Sequence, residues 1–268
     1  MNPKISIVIP SYNRPDFLQR LLRSIANQTF QEYEVIIVDD CSPKREEIIQ
    51  VVDKFRKEIS SIQLIENVSN RGAPYSRNVG IKLSQADWIA LVDDDDEWMP
   101  EKLEKQYAII AKGPHDLGIV YTWADVIEDG KVIRREASEF RGKVLDQLLK
   151  SNFIPSSSVV AKKSALLEAG VFDEAFHSCQ DWDMWVRILS KGYFVEVLKS
   201  SEIIFHKHGC GSIGLSETAI EGYRQFYRKH IHKYRAIDPY FYYTFLVKNW
   251  LRNFFRRNEN TAKENSLI

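Results

Sequence analysis

The sequence predicts an α/β protein built on a doubly wound, mostly parallel sheet and ending in a helical tail. Three observations carry this. Short β-branched runs alternate with amphipathic stretches through the first hundred residues, the pattern of repeated strand–helix units. Each run is apolar throughout, as strands covered on both faces must be. From Tyr223 onward the chain changes character and becomes basic and aromatic.

Ile5 to Ile9 (ISIVI) reads as the first buried strand, stopped by Pro10. Pro15 opens a helix in which Phe17, Leu18, Leu21, Leu22 and Ile25 recur at helical spacing. The alternation continues with strands at Val35 to Val38, Ile62 to Ile65 and Trp88 to Val92, and helices at Glu46 to Phe55 and Ala73 to Leu83. In such sheets ligands bind beyond the carboxyl ends of the strands. Four segments fall there: Ser11 to Arg14, Asp39 to Ser42, Asn67 to Arg71 and Asp93 to Asp96. All are polar and should open on one edge.

Beyond Pro100 a helix through Leu103, Tyr107 and Ile110 leads to a strand at Gly118 to Tyr121 and a hairpin turning on Asp129-Gly130. A strand at Ser158 to Ala161, a short helix at Ala165 to Ala169, a helix from Asp181 to Ser190 and strands at Phe194 to Leu198 and Glu202 to Phe205 follow. No repeat or linker interrupts this order, so residues 1 to about 215 read as one domain and 216–268 as a tail.

At 268 residues, 44% hydrophobic and 28% charged, the chain has the composition of a folded globular protein and not of a disordered one. Lys+Arg 37 balance Asp+Glu 37, so no global field recruits nucleic acid, and electrostatic work must be local. Cys41, Cys179 and Cys210 lie far apart without metal or disulfide spacing, which suits a reducing cytosol. Met1 to Pro10 lacks the pattern of a secretory signal, and the apolar stretch Tyr240 to Val247 is cut by Lys248 and Arg252 before it could span a bilayer. A cytoplasmic protein is expected.

Tyr223 to Arg257 holds nine Lys/Arg against the single acid Asp238, with 12 of the 32 aromatic residues, and Pro239 divides it into two helical halves. Tyr240, Tyr243, Val247, Trp250, Leu251 and Phe254 recur at helical spacing beside Lys248, Arg252, Arg256 and Arg257. Such a face packs on protein, including a second subunit, or lies on the anionic inner face of a membrane as a peripheral contact.

The four carboxylates Asp93 to Asp96 repel one another and call for positive compensation. A hard cation, Mn²⁺ or Mg²⁺, takes one or two carboxylates together with phosphate oxygens, so a metal-held diphosphate fits the run. The alternative is a solvated acidic turn with Asp96 as a helix cap. On the helix from Asp181, the residues Trp182, Trp185, Val186 and Leu189 share an apolar face, while Ser178-x-x-Asp181 has the spacing of a capping box.

SIVIPSYNRPDFLQRLLRSIANQTFQEYEVIIVDDCS, NRGAPYSRNVGI, WIALVDDDDEW and QDWDMWVRI, in that order, resemble the inverting family 2 glycosyltransferases of the GT-A (nucleotide-diphospho-sugar transferase) fold. The resemblance covers residues 1 to about 215. It implies a donor-binding half over about 1–100, an acceptor half over about 101–215, and transfer of a sugar from a nucleotide-diphospho-sugar, a UDP-sugar foremost, to a glycan or lipid-linked acceptor hydroxyl in cell-surface polysaccharide or O-antigen synthesis. Pro10 and Tyr12 would flank the nucleobase, with Asp40 accepting a hydrogen bond from a ring N–H. Arg14, Arg71 and Arg77 would lie near ribose or diphosphate, although the two later arginines can equally be surface residues. Asp93-x-Asp95 resembles the D-x-D motif, with Asp93 near ribose and metal and Asp95 ligating the metal. Asp94, also acidic, can take either role. His208 in FHKHGCGS matches a histidine that approaches metal and diphosphate, with His206 as its rival. Asp181 would be the catalytic base, with Gln180 standing where the family commonly has Glu.

Two other classes share some of these features. A nucleotidyltransferase would carry a glycine-rich phosphate loop after the first strand, and SYNRPD contains no glycine. A non-catalytic nucleotide-sugar-binding protein would have no need of Asp181.

Overall fold

Every residue of β1 (Ile5–Ser11) and β2 (Tyr33–Asp39) is buried, so both faces of these strands are covered. That coverage is why their sequences run apolar without alternation. The computed structural model describes residues 2–207 and 217–247. Between these strands α1 (Pro15–Ala26) starts on its proline and buries Leu18, Leu21, Leu22 and Ile25. The alternation continues through α2 (Arg45–Phe55), β3 (Ile62–Glu66), α3 (Ala73–Leu83) and β4 (Trp88–Leu91). β1 pairs in parallel with both β2 and β4, and β2 with β3. The strand order 3-2-1-4 reverses direction at β1, and such a switch point leaves a crevice at the carboxyl ends of the flanking strands.

The second half is mixed. It comprises β5 (Asp96–Trp98), α4 (Lys102–Ile110), β6 (Leu117–Glu128), β7 (Lys131–Glu136), α5 (Leu145–Lys150), a 3₁₀ turn (Ser156–Ser158), β8 (Val160–Lys162), α6 (Lys163–Glu168), α7 (Gln180–Ser190) and β9 (Phe194–His206). β8 joins β4 to β6 by antiparallel pairing on both sides, β6 runs parallel to β9, and β5 closes antiparallel on β9. The hairpin between β6 and β7 turns on Asp129 and Gly130, both at positive φ, as expected.

Three features differ from the sequence reading. β5 and α5 have no counterpart in it, because three and six residues are too few to show a period. The two strands expected at 194–198 and 202–205 are one strand, β9. Its polar Lys199-Ser200-Ser201 is absorbed as a register shift against β6, with Ser201 Oγ donating to Asp125.

One glycine sets how closely α3 approaches the sheet. A Cβ on Gly80 would fall 2.4 Å from Val8 Cγ1 of β1. That approach brings Arg77, one turn earlier on α3, to the crevice.

The chain forms two compact units, Met1–Gly222 and Tyr223–Ile268. The helix α8 (Glu217–Ile237) begins in the first and runs into the second, where it ends before Asp238, and helix resumes over 239–247. Asp238 Oδ1 accepts the Phe241 N–H at 2.9 Å, which caps the new helix after the break at Pro239. Tyr227, Tyr234, Phe241 and Phe245 pack their rings together, whereas Tyr240, Tyr243 and Val247 are exposed. Lys248, Trp250, Leu251, Arg252, Phe254, Arg256 and Arg257 lie outside the described residues. Among those described, no helix is long and apolar enough to cross a membrane.

Candidate active site

The loops after β1, β2, β3 and β4 meet at the switch point and are held by one another's side chains. Asn13 and Cys41 both adopt the left-handed region, at φ 59° and 63°, a cost that β-carbon-bearing residues bear where surrounding contacts enforce it. The Asn13 N–H donates to Ser42 Oγ at 2.8 Å, and Ser42 Oγ in turn donates to Asp39. Asp40 accepts from Asn67 Nδ2 at 2.7 Å and from the N–H groups of Arg71 and Gly72, so its carboxylate ties the loop after β3 to the loop after β2.

The acidic run is compensated residue by residue. Asp93 forms an ion pair with Arg77, which is only 4% exposed. Asp94 accepts from Ser11 Oγ, the Tyr12 N–H and Arg14 Nη1. Burial still pushes Asp94 up to about 7, against the pull of Arg14. Asp95 pairs with the same Arg14 Nη1 at 2.9 Å. Asp96 accepts from Ser157 Oγ and is not the helix cap of the alternative reading; burial and its acidic neighbours raise its carboxyl well above the usual range.

Two cavities flank this run. The first, about 350 Å³, is walled by Pro10, Tyr12, Arg14, Asp40, Arg77, Gln180 and Asp93 to Asp95. The second, about 530 Å³, is walled by Asp93, Asp96, Asn152, Phe153, Ser156 and Asp181 among others. Asp93 belongs to both. The first two residues of α7 divide between them, Gln180 lining the first and Asp181 the second.

Packing fixes where α7 begins. Trp182 Nε1 donates to Leu148 O at 2.6 Å and Trp185 Nε1 to Ile154 O at 3.2 Å, so two buried indoles anchor α5 and the segment after it. That segment presents Asn152, whose Nδ2 donates to Asp181 Oδ2 at 3.1 Å. Asp181 also accepts the Trp182 N–H at 2.7 Å. Burial raises the Asp181 carboxyl, while those two donors and the Arg77 charge pull it back. The capping box does not form. Cys179 occupies the cap position at φ 59° with no side-chain cap, and Ser178 Oγ lies beside Cys179 Sγ.

Of the residues singled out in the sequence, Pro10, Tyr12, Arg14, Asp40, Arg77, Asp93, Asp94 and Asp95 share the first cavity. Asp181 lines the second, and Arg71 lines neither. Its guanidinium pairs with Glu174 at 3.3 Å, stacks 4.2 Å from the Tyr75 ring and does not line the cavity; only its backbone N–H serves the site, through Asp40. His208 lies outside the described residues, and His206 Nε2 is 3.0 Å from Glu97 Oε2. Asn152 and Ser157 are site residues that no sequence motif marked.

The donor set suits a hard divalent cation that shares its shell with phosphate. Asp93 Oδ2 and Asp95 Oδ1 carry no hydrogen bond among the described residues, and Arg14 is half exposed and able to swing away from Asp95. Among the described residues no cluster of three or more His, Cys, Asp or Glu forms a complete metal site. Two carboxylates therefore fit Mn²⁺ or Mg²⁺ once a ligand adds oxygens.

Residues 6–176 match the family model described as Glycosyl transferase family 2. The chain belongs to glycosyl transferase family 2. It is 31% identical over 249 residues to WcaA of Escherichia coli K12, provisionally named for colanic acid biosynthesis, covering 91% of this chain and 87% of that one. The crystal structure of Staphylococcus aureus TarS 1–349 in complex with UDP-GlcNAc matches with a TM-score of 0.66 and 22% identity, over 85% of this chain and 66% of that one. The mannosyltransferase PcManGT of Pyrobaculum calidifontis, in complex with GDP-Man and Mn²⁺, matches with a TM-score of 0.67 and 16% identity, over 87% and 65%. The chain spans about two thirds of these solved chains. The fold of this family 2 glycosyltransferase is therefore GT-A-like: mixed α/β, with a C-terminal helical region. The family match ends at residue 176, before α7 begins.

Proposed function

We propose that this glycosyltransferase is an inverting, metal-dependent enzyme that transfers a sugar from a UDP-sugar to an acceptor hydroxyl in cell-surface polysaccharide assembly. The observation that carries the reading is the shared wall at Asp93, with an arginine-lined cavity on one side and Asp181 on the other. Arg77 lines that cavity, and its buried Nε and Nη1 have no hydrogen-bond partner among the described residues, so its charge is only partly met by Asp93. The UDP-GlcNAc held by TarS supports the uridine donor, the Mn²⁺ held beside GDP-Man by PcManGT supports the metal and the nucleotide-sugar class, and the biosynthetic name of WcaA supports the polysaccharide role.

In this mechanism Tyr12, 44% exposed, stacks on the base beside Pro10. Asp40, whose two oxygens share the donors of Asn67, Arg71 and Gly72, holds the loops around the base and is proposed to accept its N–H as well. Arg77 and Arg14 face the diphosphate. Asp95, with Asp93, would hold the cation, and His208 is proposed as its third protein ligand. A bound cation there offsets charge that grows on the leaving diphosphate. Asp181 takes the proton of the acceptor hydroxyl as its oxygen forms a bond to the anomeric carbon. The bond to the diphosphate breaks on the opposite face, with its electron pair leaving on phosphate oxygen, and the configuration inverts. The domain boundary is proposed near 215, with the basic aromatic tail of a cytoplasmic enzyme attached peripherally to anionic lipid. Flotation with anionic liposomes at low salt checks the attachment, and a soluble dimer that ignores liposomes would refute it.

A panel of nucleotide sugars tests the donor. Thermal stabilisation and metal-dependent turnover with a UDP-sugar are expected. Stabilisation by none of the panel would refute the assignment.

A further inference from the structure

Resting on the transfer reading, we propose that the larger cavity takes an uncharged sugar ring as the acceptor, its apolar face on Phe153 and its hydroxyls against Asp181, Asn152 and Ser156. The two cavities share Asp93 yet differ in charge. Arg14 and Arg77 line the first. The described residues that line the second include four carboxylates, Asp93, Asp96, Glu136 and Asp181, and no Lys or Arg. Arg77, which lines the first cavity, pairs with Asp93 and its charge also reaches Asp181, and the largely exposed Arg134 pairs with Glu136. With Asp93 taken up by Arg77 and by the cation it would share with the diphosphate, Glu136 and Asp181 are left to face an acceptor phosphate or carboxylate, and no lysine or arginine among the described lining residues would pair with it.

The rest of the wall suits a polyol with one apolar face. Phe153 is half-buried and braced by Phe140, with ring centroids 4.9 Å apart, and by Tyr121 at 6.0 Å, so its ring is a fixed apolar platform. Ser156 lines the cavity and its buried Oγ has no hydrogen-bond partner among the described residues, so turning that hydroxyl into the cavity toward a ligand would supply one. Asn152 gives one N–H to Asp181 and its carbonyl accepts the Ile154 N–H at 3.3 Å, which leaves its second N–H for a neighbouring hydroxyl. An aromatic floor, an unpartnered hydroxyl, an amide and the proposed base form a concave site with few polar groups.

Saturation-transfer NMR on the full chain with UDP and Mg²⁺ tests this. The probes are the methyl glycosides of glucose, galactose, mannose and N-acetylglucosamine, the hexose 6-phosphates, and the glucuronic and galacturonic acid glycosides. At least one neutral glycoside should bind, with saturation concentrated on one ring face, and its charged analogues should bind about tenfold more weakly or worse. Phe153→Ala should weaken the neutral glycoside by about fivefold with UDP affinity unchanged, and Phe153→Tyr should restore it. Equal or tighter binding of the charged series would overturn the proposal. So would neutral binding indifferent to Phe153→Ala, or no neutral binding by a chain that holds UDP. Failure to bind UDP would overturn the transfer reading and this one with it.

Discussion

Asn152 Nδ2 donates to Asp181 Oδ2 at 3.1 Å, and the two residues come from opposite sides of the indole anchors Trp182 and Trp185. The direction of the proposed base is thus set by a residue 29 positions earlier, and Asn152 is a positioning residue. Asn152→Ala should lower turnover by about tenfold and leave donor affinity unchanged. A parallel loss of donor binding would show that the substitution disturbs the fold instead.

The same pair fixes a pH dependence. Burial holds the Asp181 carboxyl above its usual range, and the base works only when ionised. Turnover should therefore rise with pH on an acid limb whose midpoint lies above that of an ordinary aspartate. Removing the Asn152 donor, which favours the ionised form, should move the midpoint further up. A pH profile with the limb unmoved in Asn152→Ala would contradict this.

Arg14 and a cation compete for Asp95, which pairs with Arg14 at 2.9 Å. Asp95→Ala should therefore abolish most of the gain in UDP affinity that Mn²⁺ or Mg²⁺ confers, by about tenfold or more. Calorimetry showing equal UDP affinity with and without metal in the wild-type chain would contradict the cation's role.

Gly80 is where α3 touches β1. A methyl there would lie 2.4 Å from Val8 Cγ1 in a strand that cannot retreat. Gly80→Ala should destabilise by about 1–3 kcal/mol in thermal or denaturant unfolding. Val8→Ala in the same chain should return part of that loss, because the two sites share one contact. Independent, additive effects would count against the steric cause.

Lys102 is wholly buried, with Nζ 4.0 Å from the Trp98 ring and 2.7 Å from Gln106 Oε1, and burial lowers it to about 7 against the pull of Glu202. The folded chain releases this proton near pH 7, while the unfolded chain keeps it to its ordinary value of 10.5. The unfolded state then binds more protons across that window, so Lys102 makes stability rise with pH there. Lys102→Met should flatten the rise, and unchanged slopes would contradict the burial argument.

The first half of the fold was legible because strands covered on both faces leave uninterrupted runs such as ISIVI, and because polar residues cluster where those runs end. The family-level reading came from the same loops. What escaped was fixed by contacts distant in sequence. β5 exists only by pairing Asp96 to Trp98 with β9. Ser157 matters because it serves Asp93 and Asp96 together. Arg71 looked like a phosphate ligand because its charge stands in a polar loop, yet Tyr75 and Glu174 hold it elsewhere. Asn152 sits in SNFIPSSS, a segment with no period or motif, and acquires meaning only beside α7.

The anomeric configuration of the first product tests the account most directly. The wild-type chain, a UDP-sugar with an α-linked sugar and Mg²⁺ or Mn²⁺ are followed by proton NMR with a neutral methyl glycoside as acceptor. The account expects a β-linked product, and Asp181→Asn should slow its formation by about a hundredfold or more with UDP affinity nearly unchanged. An α-linked first product, or turnover by Asp181→Asn near the wild-type rate, would contradict it.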